Sequence, residues 1–466
     1  MEEYIKKLLE QIRFQKAHKA IGDEIRTHIQ DQLQANIAEG MDEETAEKRA
    51  VEDMGDPVAT GIELDRVHRP QLAWGVIVAA VLVGVIGTMI HLYIAKDALV
   101  HSAFDMPGVA TDGRSFIIYT VLGITAMLFL YLVDYTTVAR YSRRIAVIIV
   151  AVYLLTYYGG SILERVLNEN GPNGELIFSD QAEAILPLLS KCFRFSFAMM
   201  FLLIPLYAGI LYKYRGQSYG GLLKALLWIF IPRIIPFVPF RYYNMRAFIV
   251  VGSMLVQLSY AIKKDWIKVR KIPSIISVWL AFIIYLLYFT RNEFGGYITA
   301  QSNNMKSVMD AMKLFGGGEL HFWGGDKVMQ LRGYINSPID TYVLTYVSAA
   351  WGLIVGLLVV MTVASLIVFG FVSISKSKNQ LGQAMGCGCL MWIAVNAIAN
   401  IIVGFGIIPE FYVSFFPFIS SNNIVISYVF LGILISVYKY KDAYPQHVDI
   451  KARSNKEKRL QSLKDN

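Results

Sequence analysis

Apolar runs of about 20 residues recur along most of this chain, separated by shorter polar segments, and the first 68 residues lack them. A helix of that length crosses a hydrocarbon core of roughly 30 Å. The pattern predicts an all-α, polytopic membrane protein with about ten transmembrane helices behind a small N-terminal helical domain. The ten predicted spans lie near 72–94, 114–134, 143–158, 193–213, 221–240, 245–262, 273–290, 341–372, 383–408 and 424–440.

Composition supports a membrane protein and excludes an ordinary soluble one. Hydrophobic residues make up 55% of the 466-residue chain and charged residues only 17%, whereas soluble domains are nearer a quarter charged. The three cysteines have neither a disulfide framework nor the spacing of metal ligands. No cleavable signal peptide is expected, because the first 68 residues are polar and patterned.

The basic residues predict the orientation of the spans. The formal net charge of +8 comes mostly from short loops on one side of the ten-span arrangement. The positive-inside rule makes that side cytoplasmic, so the charge indicates topology rather than nucleic-acid binding. We therefore predict that both termini are cytoplasmic. The loop cations are Arg140, Arg143, Arg144, Lys213, Arg215, Lys263, Lys264, Lys268, Arg270, Lys271, Lys376 and Lys378.

Residues 1–68 are predicted to form a cytoplasmic domain of three or four short helices. Gly40 should end one helix, Asp42 can cap the next, and Gly55-Asp56-Pro57 supplies a stop, an N-cap and a first-turn proline. The stretch GMDEETAEKRAVEDMGDP resembles the permease-prefix domain found ahead of some bacterial membrane proteins. Such a domain could dock a partner or fold back on the membrane part. One face of its main helix is apolar, at Ile21, Ile25, Ile29, Leu33 and Ile37.

The segment from Asn400 to Asn423, NIIVGFGIIPEFYVSFFPFISSNN, is the most informative part of the chain. Pro409 is expected to stop the ninth span. Irregular backbone at membrane depth survives only where protein or a water-filled cavity shields it, so the segment predicts a shaped outer cavity. Its pattern N-I-x-x-x-x-G-[IL]-[IL]-P, followed by P-F-I-S, resembles the signature of the SEDS family, the FtsW/RodA/SpoVE-type polymerases of bacterial cell-wall glycan.

The resemblance implies ten transmembrane helices and a large outer loop between the seventh and eighth, ending in a catalytic aspartate. The SEDS-like membrane domain would be 69–440, its outer loop 291–340, and the basic cytoplasmic tail 441–466. The loop ends in SPIDTY, where the family has H-T-D-F-I-F. The role implied for Asp340 is that of a general base on the sugar hydroxyl that attacks the next lipid-linked sugar.

Two observations leave the role of Asp340 open. Alignment on Gly352 puts Thr341 at the family's aspartate position, and one step along a helix turns a side chain by about 100°. Alternatively, Ser337 is an N-cap and Pro338 the first helical residue, so that Asp340 completes a helix cap. Structural cap and catalytic base therefore both stand as hypotheses.

A substrate that carries pyrophosphate requires cations, and contacts from arginine to phosphate are strong and directional. Arg233 lies within an apolar span, where a charge usually faces a cavity; snorkelling to the interface is the alternative. No cofactor is predicted apart from a divalent cation that would help to neutralise the leaving group, and no metal-ligand cluster is visible. The predicted substrate-binding residues are Arg233, Arg241, Lys313, Arg332, Asn400 and Ser420, with Arg194 and Arg246 as further outer cations.

The resemblance implies polymerisation of lipid II, or of another undecaprenyl-linked precursor, on the outer face of the bacterial cytoplasmic membrane, in division, elongation or sporulation. The expected partners are that precursor, membrane lipid and a penicillin-binding protein. One alternative is a catalytically impaired scaffold for a cell-wall synthase, because the aspartate and threonine are transposed. The other is a transporter of the precursor, which would need a continuous polar path, although the spans carry few acids or bases.

Overall fold

Helices form nearly all of the described part of this computed structural model. It describes residues 1–95, 113–170, 176–178, 185, 188, 192, 195–234, 241–288, 306, 310, 341–407, 415–420, 423–448 and 450. Two short strands, β1 (Asn168–Asn170) and β2 (Leu176–Phe178), form an antiparallel pair. The helices are α1 (Glu2–Glu10), α2 (Gln15–Ala38), α3 (Glu43–Asp53), α4 (Pro57–His68), α5 (Trp74–Ala95), α6 (Gly113–Leu132), α7 (Tyr135–Leu167), α8 (Leu203–Tyr212), α9 (Tyr219–Ile234), α10 (Arg241–Lys263), α11 (Lys271–Tyr288), α12 (Val343–Trp351), α13 (Leu353–Lys376), α14 (Gln380–Gly404) and α15 (Ile424–Lys439).

The first four helices pack around a hydrophobic core of their own, and two of them begin at the predicted capping residues. Asp42 accepts a hydrogen bond from the Thr45 amide at 3.0 Å, and Asp56 accepts one from the Ala59 amide at 2.8 Å. These side chains satisfy amide groups that a helix N-terminus leaves without a partner. The apolar face of α2 packs on α1, and the buried core includes Tyr4, Ile5, Leu8, Ile12, Ile21, Ile25 and Ile29.

The membrane-crossing helices confirm an all-α, polytopic membrane protein. Among the described residues, six helices are long and apolar enough to cross a membrane, and α9, α10 and α15 supply shorter apolar segments. Each of the ten predicted spans overlaps a described helix. The third was predicted at 143–158, whereas α7 has 33 residues, because its polar start continues the helix before the apolar part begins. The six are Trp74–Tyr93, Gly113–Leu132, Phe195–Tyr212, Lys271–Tyr288, Leu353–Lys376 and Gln380–Gly404. The third of them joins α8 to the helical residues before it, which include a 3-10 turn at Met200–Leu202.

The eighth predicted span, 341–372, is two helices, and the prediction of one span was wrong. The chain reverses at Gly352, where φ is 94° and ψ is 159°, a conformation that is essentially restricted to glycine. A Cβ built on Gly356 would lie 3.8 Å from the Cα of Ser348, whereas a straight helix separates such residues by about 12 Å. The nine-residue α12 therefore folds back on α13, and hydropathy cannot distinguish that hairpin from one long helix.

Replacement of Gly352 by alanine is expected to destabilise this hairpin by about 1–3 kcal/mol, because a Cβ is strained at its backbone angles. The measurement is the thermal unfolding midpoint of the detergent-purified protein. Gly159→Ala is the matched control, since a Cβ at Gly159 meets no atom within 4 Å. Equal midpoints for the two variants would contradict the reversal at Gly352.

The ninth span ends earlier than predicted, and glycine ends it rather than Pro409. Helix α14 finishes at Gly404, and Gly406 has a positive φ of 67°. The Gly406 amide donates to the Val403 carbonyl at 2.9 Å, and the Ile407 amide donates to the Ile402 carbonyl at 3.1 Å. This pair of bonds is a Schellman motif, which satisfies the last carbonyls of a helix. Helix α14 therefore ends before Pro409.

The last helix, α15, lies at the centre of the membrane bundle. Most of its side chains from 424 to 437 are buried. The Tyr428 hydroxyl donates to the Ala80 carbonyl of α5 at 3.0 Å. The Tyr428 ring also covers Gly123 of α6, where a Cβ would lie 2.6 Å from a ring carbon. Small residues on α6 therefore allow α15 to pack closely, as is usual between membrane helices.

Candidate functional site

Two hydrogen bonds tie the chain just after Asp340 to α14. Asn400 donates from Nδ2 to the Thr341 carbonyl at 2.9 Å. Thr345, in the first turn of α12, donates its hydroxyl hydrogen to the carbonyl of Gly404 at 2.6 Å. Thr341, Thr345 and Asn400 are all buried. The motif asparagine thus fixes the residue that follows the predicted base.

The two hypotheses for Asp340 concern the chain just before α12. Helix α12 begins at Val343, its N-cap is Tyr342, and that residue makes no side-chain cap hydrogen bond. Thr341 and Tyr342 are not helical. Ser337 and Pro338, on which the cap hypothesis depends, lie outside the described residues, so helix cap and catalytic base both stay predictions. Asp340 itself lies outside the described residues.

Residues 415–420 form a buried turn that contains the predicted substrate-binding Ser420. The Phe416 amide donates to the Ser420 hydroxyl at 2.9 Å, and the Ser420 amide donates to the Phe416 carbonyl at 3.0 Å. Phe418 has φ of 69°, a sparsely populated conformation for a bulky residue. Ser420 is completely buried, so its described contacts stabilise the turn.

His91 of α5 holds the same turn, and the sequence reasoning did not single it out. Its Nε2 donates to the Ile419 carbonyl at 2.6 Å. Its ring stacks on Phe116 with centroids 4.0 Å apart, and the side chain is only 2% exposed. An ionisable residue within a predicted span is itself a signal of a functional site. That signal could have identified His91 from the sequence.

The structure describes only part of the predicted site. Arg233 lies in the last turn of α9 and Arg241 is the first residue of α10, and for both of them only the backbone is described. In the described ranges, no group of three or more His, Cys, Asp or Glu side chains could hold a metal ion. The divalent cation thus stays a prediction. Outside the described residues lie Asp340, Lys313, Arg332 and Arg194.

The described polar groups of the site hold backbone segments in position. Asn400 connects α14 to the chain before α12, and His91 connects α5 to the turn at 415–420. Buried polar groups that are hydrogen-bonded rigidify their surroundings. This part of the site can therefore hold a reactive group in place, while the predicted chemistry falls on Asp340 and the outer cations.

Loss of the Asn400 side-chain bond is expected to loosen the entry to α12. Asn400→Leu would leave the Thr341 carbonyl buried without its donor, which costs about 1–3 kcal/mol. Asn396→Leu is the matched control, because Asn396 donates to Trp392 one turn away in its own helix. Hydrogen exchange at Tyr342–Thr345 should rise in the Asn400 variant and stay near wild type in the control. No difference between them would show that the bond is not what holds this segment.

Comparisons with known proteins identify a similar fold. The chain matches no family model and no curated protein. A solved structure, on the structural coordination of polymerization and crosslinking by a peptidoglycan synthase complex, contains a similar chain, with a TM-score of 0.52 and 11% sequence identity. The match covers 80% of this chain and 99% of the other. The two chains therefore share a fold, that of an all-helical, multi-pass membrane protein.

Proposed function

We propose that this protein is a SEDS-type glycosyltransferase that polymerises lipid II, or a related undecaprenyl-linked precursor, at the outer face of a bacterial cytoplasmic membrane. The observation that carries the proposal is the hydrogen bond from Asn400 to the Thr341 carbonyl. It joins the two parts of the sequence that resemble the family, the N-I-x-x-x-x-G-x-x-P segment and the end of the outer loop. The shared fold supports it.

In the proposed reaction, Asp340 removes the proton from the attacking sugar hydroxyl. The hydroxyl oxygen forms a bond to the anomeric carbon of the neighbouring lipid-linked sugar, and the bond from that carbon to pyrophosphate breaks. Undecaprenyl pyrophosphate leaves with the electron pair. Arg233, Arg241, Lys313 and Arg332 would neutralise it, because charge-assisted bonds from arginine to phosphate are strong.

The hydrogen bond between Asn400 and the Thr341 carbonyl bears on how Asp340 would act as a base. A general base acts only within hydrogen-bond reach of the proton that it removes. Asp340 directly precedes Thr341, whose carbonyl is bonded to Asn400 of α14, and we propose that this bond positions the carboxylate. A positioned carboxylate of this kind avoids the entropy that a mobile one would lose in the transition state.

A scaffold that binds a cell-wall synthase is the second candidate, and the burial of the described site favours it. Asn400 and Ser420 are completely buried, and the residues of α12 from 343 to 350 are buried as well. Side chains in these positions do not contact a substrate unless the region opens. A scaffold would retain the fold and bind a cell-wall synthase, such as a penicillin-binding protein, without forming glycan.

The two candidates differ in what purified wild-type protein does to lipid II in liposomes. A polymerase converts lipid II into long glycan strands that muramidase digests, alone or with a penicillin-binding protein whose own transferase is inactive. A scaffold binds the partner and leaves lipid II unchanged under both conditions. The second result would reject the polymerase proposal.

A further inference from the structure

The segment between α1 and α2 connects the N-terminal domain to the membrane bundle. Phe14, which is half-buried, packs against the hydrophobic cores of both. Its ring centroid lies 5.5 Å from that of Tyr440, in a stacked arrangement, and 5.5 Å from that of Tyr444, edge-on. Both tyrosines follow α15 directly. The N-terminal domain thus rests on the chain that leaves the last membrane helix.

A buried carboxylate beside this contact depends on the same segment. Asp134, between α6 and α7, is 4% exposed. Its Oδ2 lies 2.8 Å from the Lys16 ammonium and accepts a hydrogen bond from the Tyr444 hydroxyl, while its Oδ1 accepts from the Thr136 amide at 2.9 Å. Burial and the adjacent carboxylate raise the pKa of Tyr444, which therefore remains a donor. Removing Lys16 would remove the cation that contacts a buried charge, which is unfavourable.

A second attachment lies at the other end of the N-terminal domain. The His68 ring bonds through Nδ1 to the Asp442 carbonyl at 2.9 Å. The Gln71 amide donates to the Lys439 carbonyl at 2.8 Å, and its side chain donates to the Asp442 carboxylate at 3.2 Å. Contacts at both ends of the domain therefore converge on the six residues 439–444, which begin with the last residue of α15.

The docking segment is held in shape before it reaches the bundle. The Arg13 amide donates to Asp65 of α4 at 2.9 Å, and the Arg13 guanidinium lies 3.6 Å from the same carboxylate. His18 bonds through Nε2 to the Ile12 carbonyl at 2.7 Å. Phe14 and Lys16 are consequently presented by a folded domain rather than by a loose tail.

The segment that the N-terminal domain contacts continues to residue 448 and also bonds to other parts of the membrane bundle. After α15, residues 440–448 cross the end of the helices, where the Lys378 amide donates to the Lys441 carbonyl at 3.0 Å and the Val448 amide donates to the Tyr212 hydroxyl at 2.9 Å. The opposite end of α15 begins at Ile424, a few residues after the buried turn at 415–420. One rigid helix therefore separates the docking contacts from the candidate site.

We propose that residues 1–68 are an intramolecular control domain, and that contact of Phe14 with Tyr440 and Tyr444 and of Lys16 with Asp134 fixes α15 and, through it, the turn at 415–420. Lys16 is 54% exposed, and exposed ion pairs are weak individually. In this proposal, docking is reversible, and a change at the docked end of α15 reaches its opposite end. Only the effect on polymerisation rests on the proposed function.

The test is Lys16→Glu in the full-length protein in nanodiscs, read by amide hydrogen exchange. A carboxylate at residue 16 faces Asp134, while an acid in the first turn of α2 does not disfavour that helix. We expect exchange to rise about tenfold at residues 440–444 and at Phe416–Ser420, as a coupling between two sites of ordinary size predicts. Polymerisation should fall by a similar factor.

Three comparisons make the outcome decisive. Lys7→Glu changes a lysine whose partner is Glu3 on the surface of α1, and it should leave all readouts at wild-type values. Lys16→Arg keeps the positive charge at residue 16 and should dock as the wild type does. Unchanged exchange within α2, at Ile21–Ile29, shows that the domain remains folded. Increased exchange at 440–444 with unchanged exchange at 416–420 would overturn the coupling. If the wild type makes no polymer, the proposed function is rejected. The control-domain proposal is then decided by the hydrogen-exchange result alone.

Discussion

Gly432→Val is expected to prevent α15 from packing on α6 and so to destabilise the membrane domain by about 3 kcal/mol, at the upper end of what overpacking usually costs. A Cβ on Gly432 would lie 2.9 Å from the Met127 carbonyl oxygen and 3.0 Å from its Cα. These are backbone atoms, so the strain cannot be relieved by rotating a side chain. The two helices would have to separate, and α15 has neighbours on every side.

Thermal unfolding of the detergent-purified variants measures this effect. Gly159→Val is the control, because it places the same β-branched residue within an apolar helix where a Cβ meets no atom within 4 Å. Its midpoint should remain close to that of wild type, and the midpoint of Gly432→Val should fall by several degrees. If the two variants unfold alike, α15 does not lie against α6 as described.

The sequence predicted most of the fold because the strongest signals in this chain are local. Runs of apolar residues fixed the positions of the membrane helices, and the caps at Asp42 and Asp56 fixed the helix starts in the N-terminal domain. These features depend on a few neighbouring residues. The confirmed all-α, polytopic fold follows from them.

The errors and omissions arose where a glycine conformation, or a contact between distant parts of the chain, decides the structure. Gly352 and Gly406 reverse or stop helices through positive φ angles, and neither changes the hydropathy profile. The role of Asn400 depends on a partner 59 residues away, which no local pattern indicates. The docking of Phe14 and Lys16 joins residues separated by more than a hundred positions for the same reason.

Asp340→Asn is expected to lower glycan-strand formation by about 100-fold to 10,000-fold, the usual contribution of a general base. Asparagine has nearly the same size and cannot accept the proton of the attacking hydroxyl. The Asn400 bond to Thr341 involves the backbone of the next residue, so the substitution should leave the entry to α12 intact. Lipid II binding should therefore persist while turnover is lost.

The central claim is that the carboxylate of Asp340 acts on the substrate, and its most direct test is the rate of glycan-strand formation from lipid II by three purified proteins. These are wild type, Asp340→Asn and Asp326→Asn, the last of which changes another aspartate in the same outer loop. We predict that wild type and Asp326→Asn form strands at similar rates and that Asp340→Asn forms almost none. Equal rates for wild type and Asp340→Asn would contradict the account.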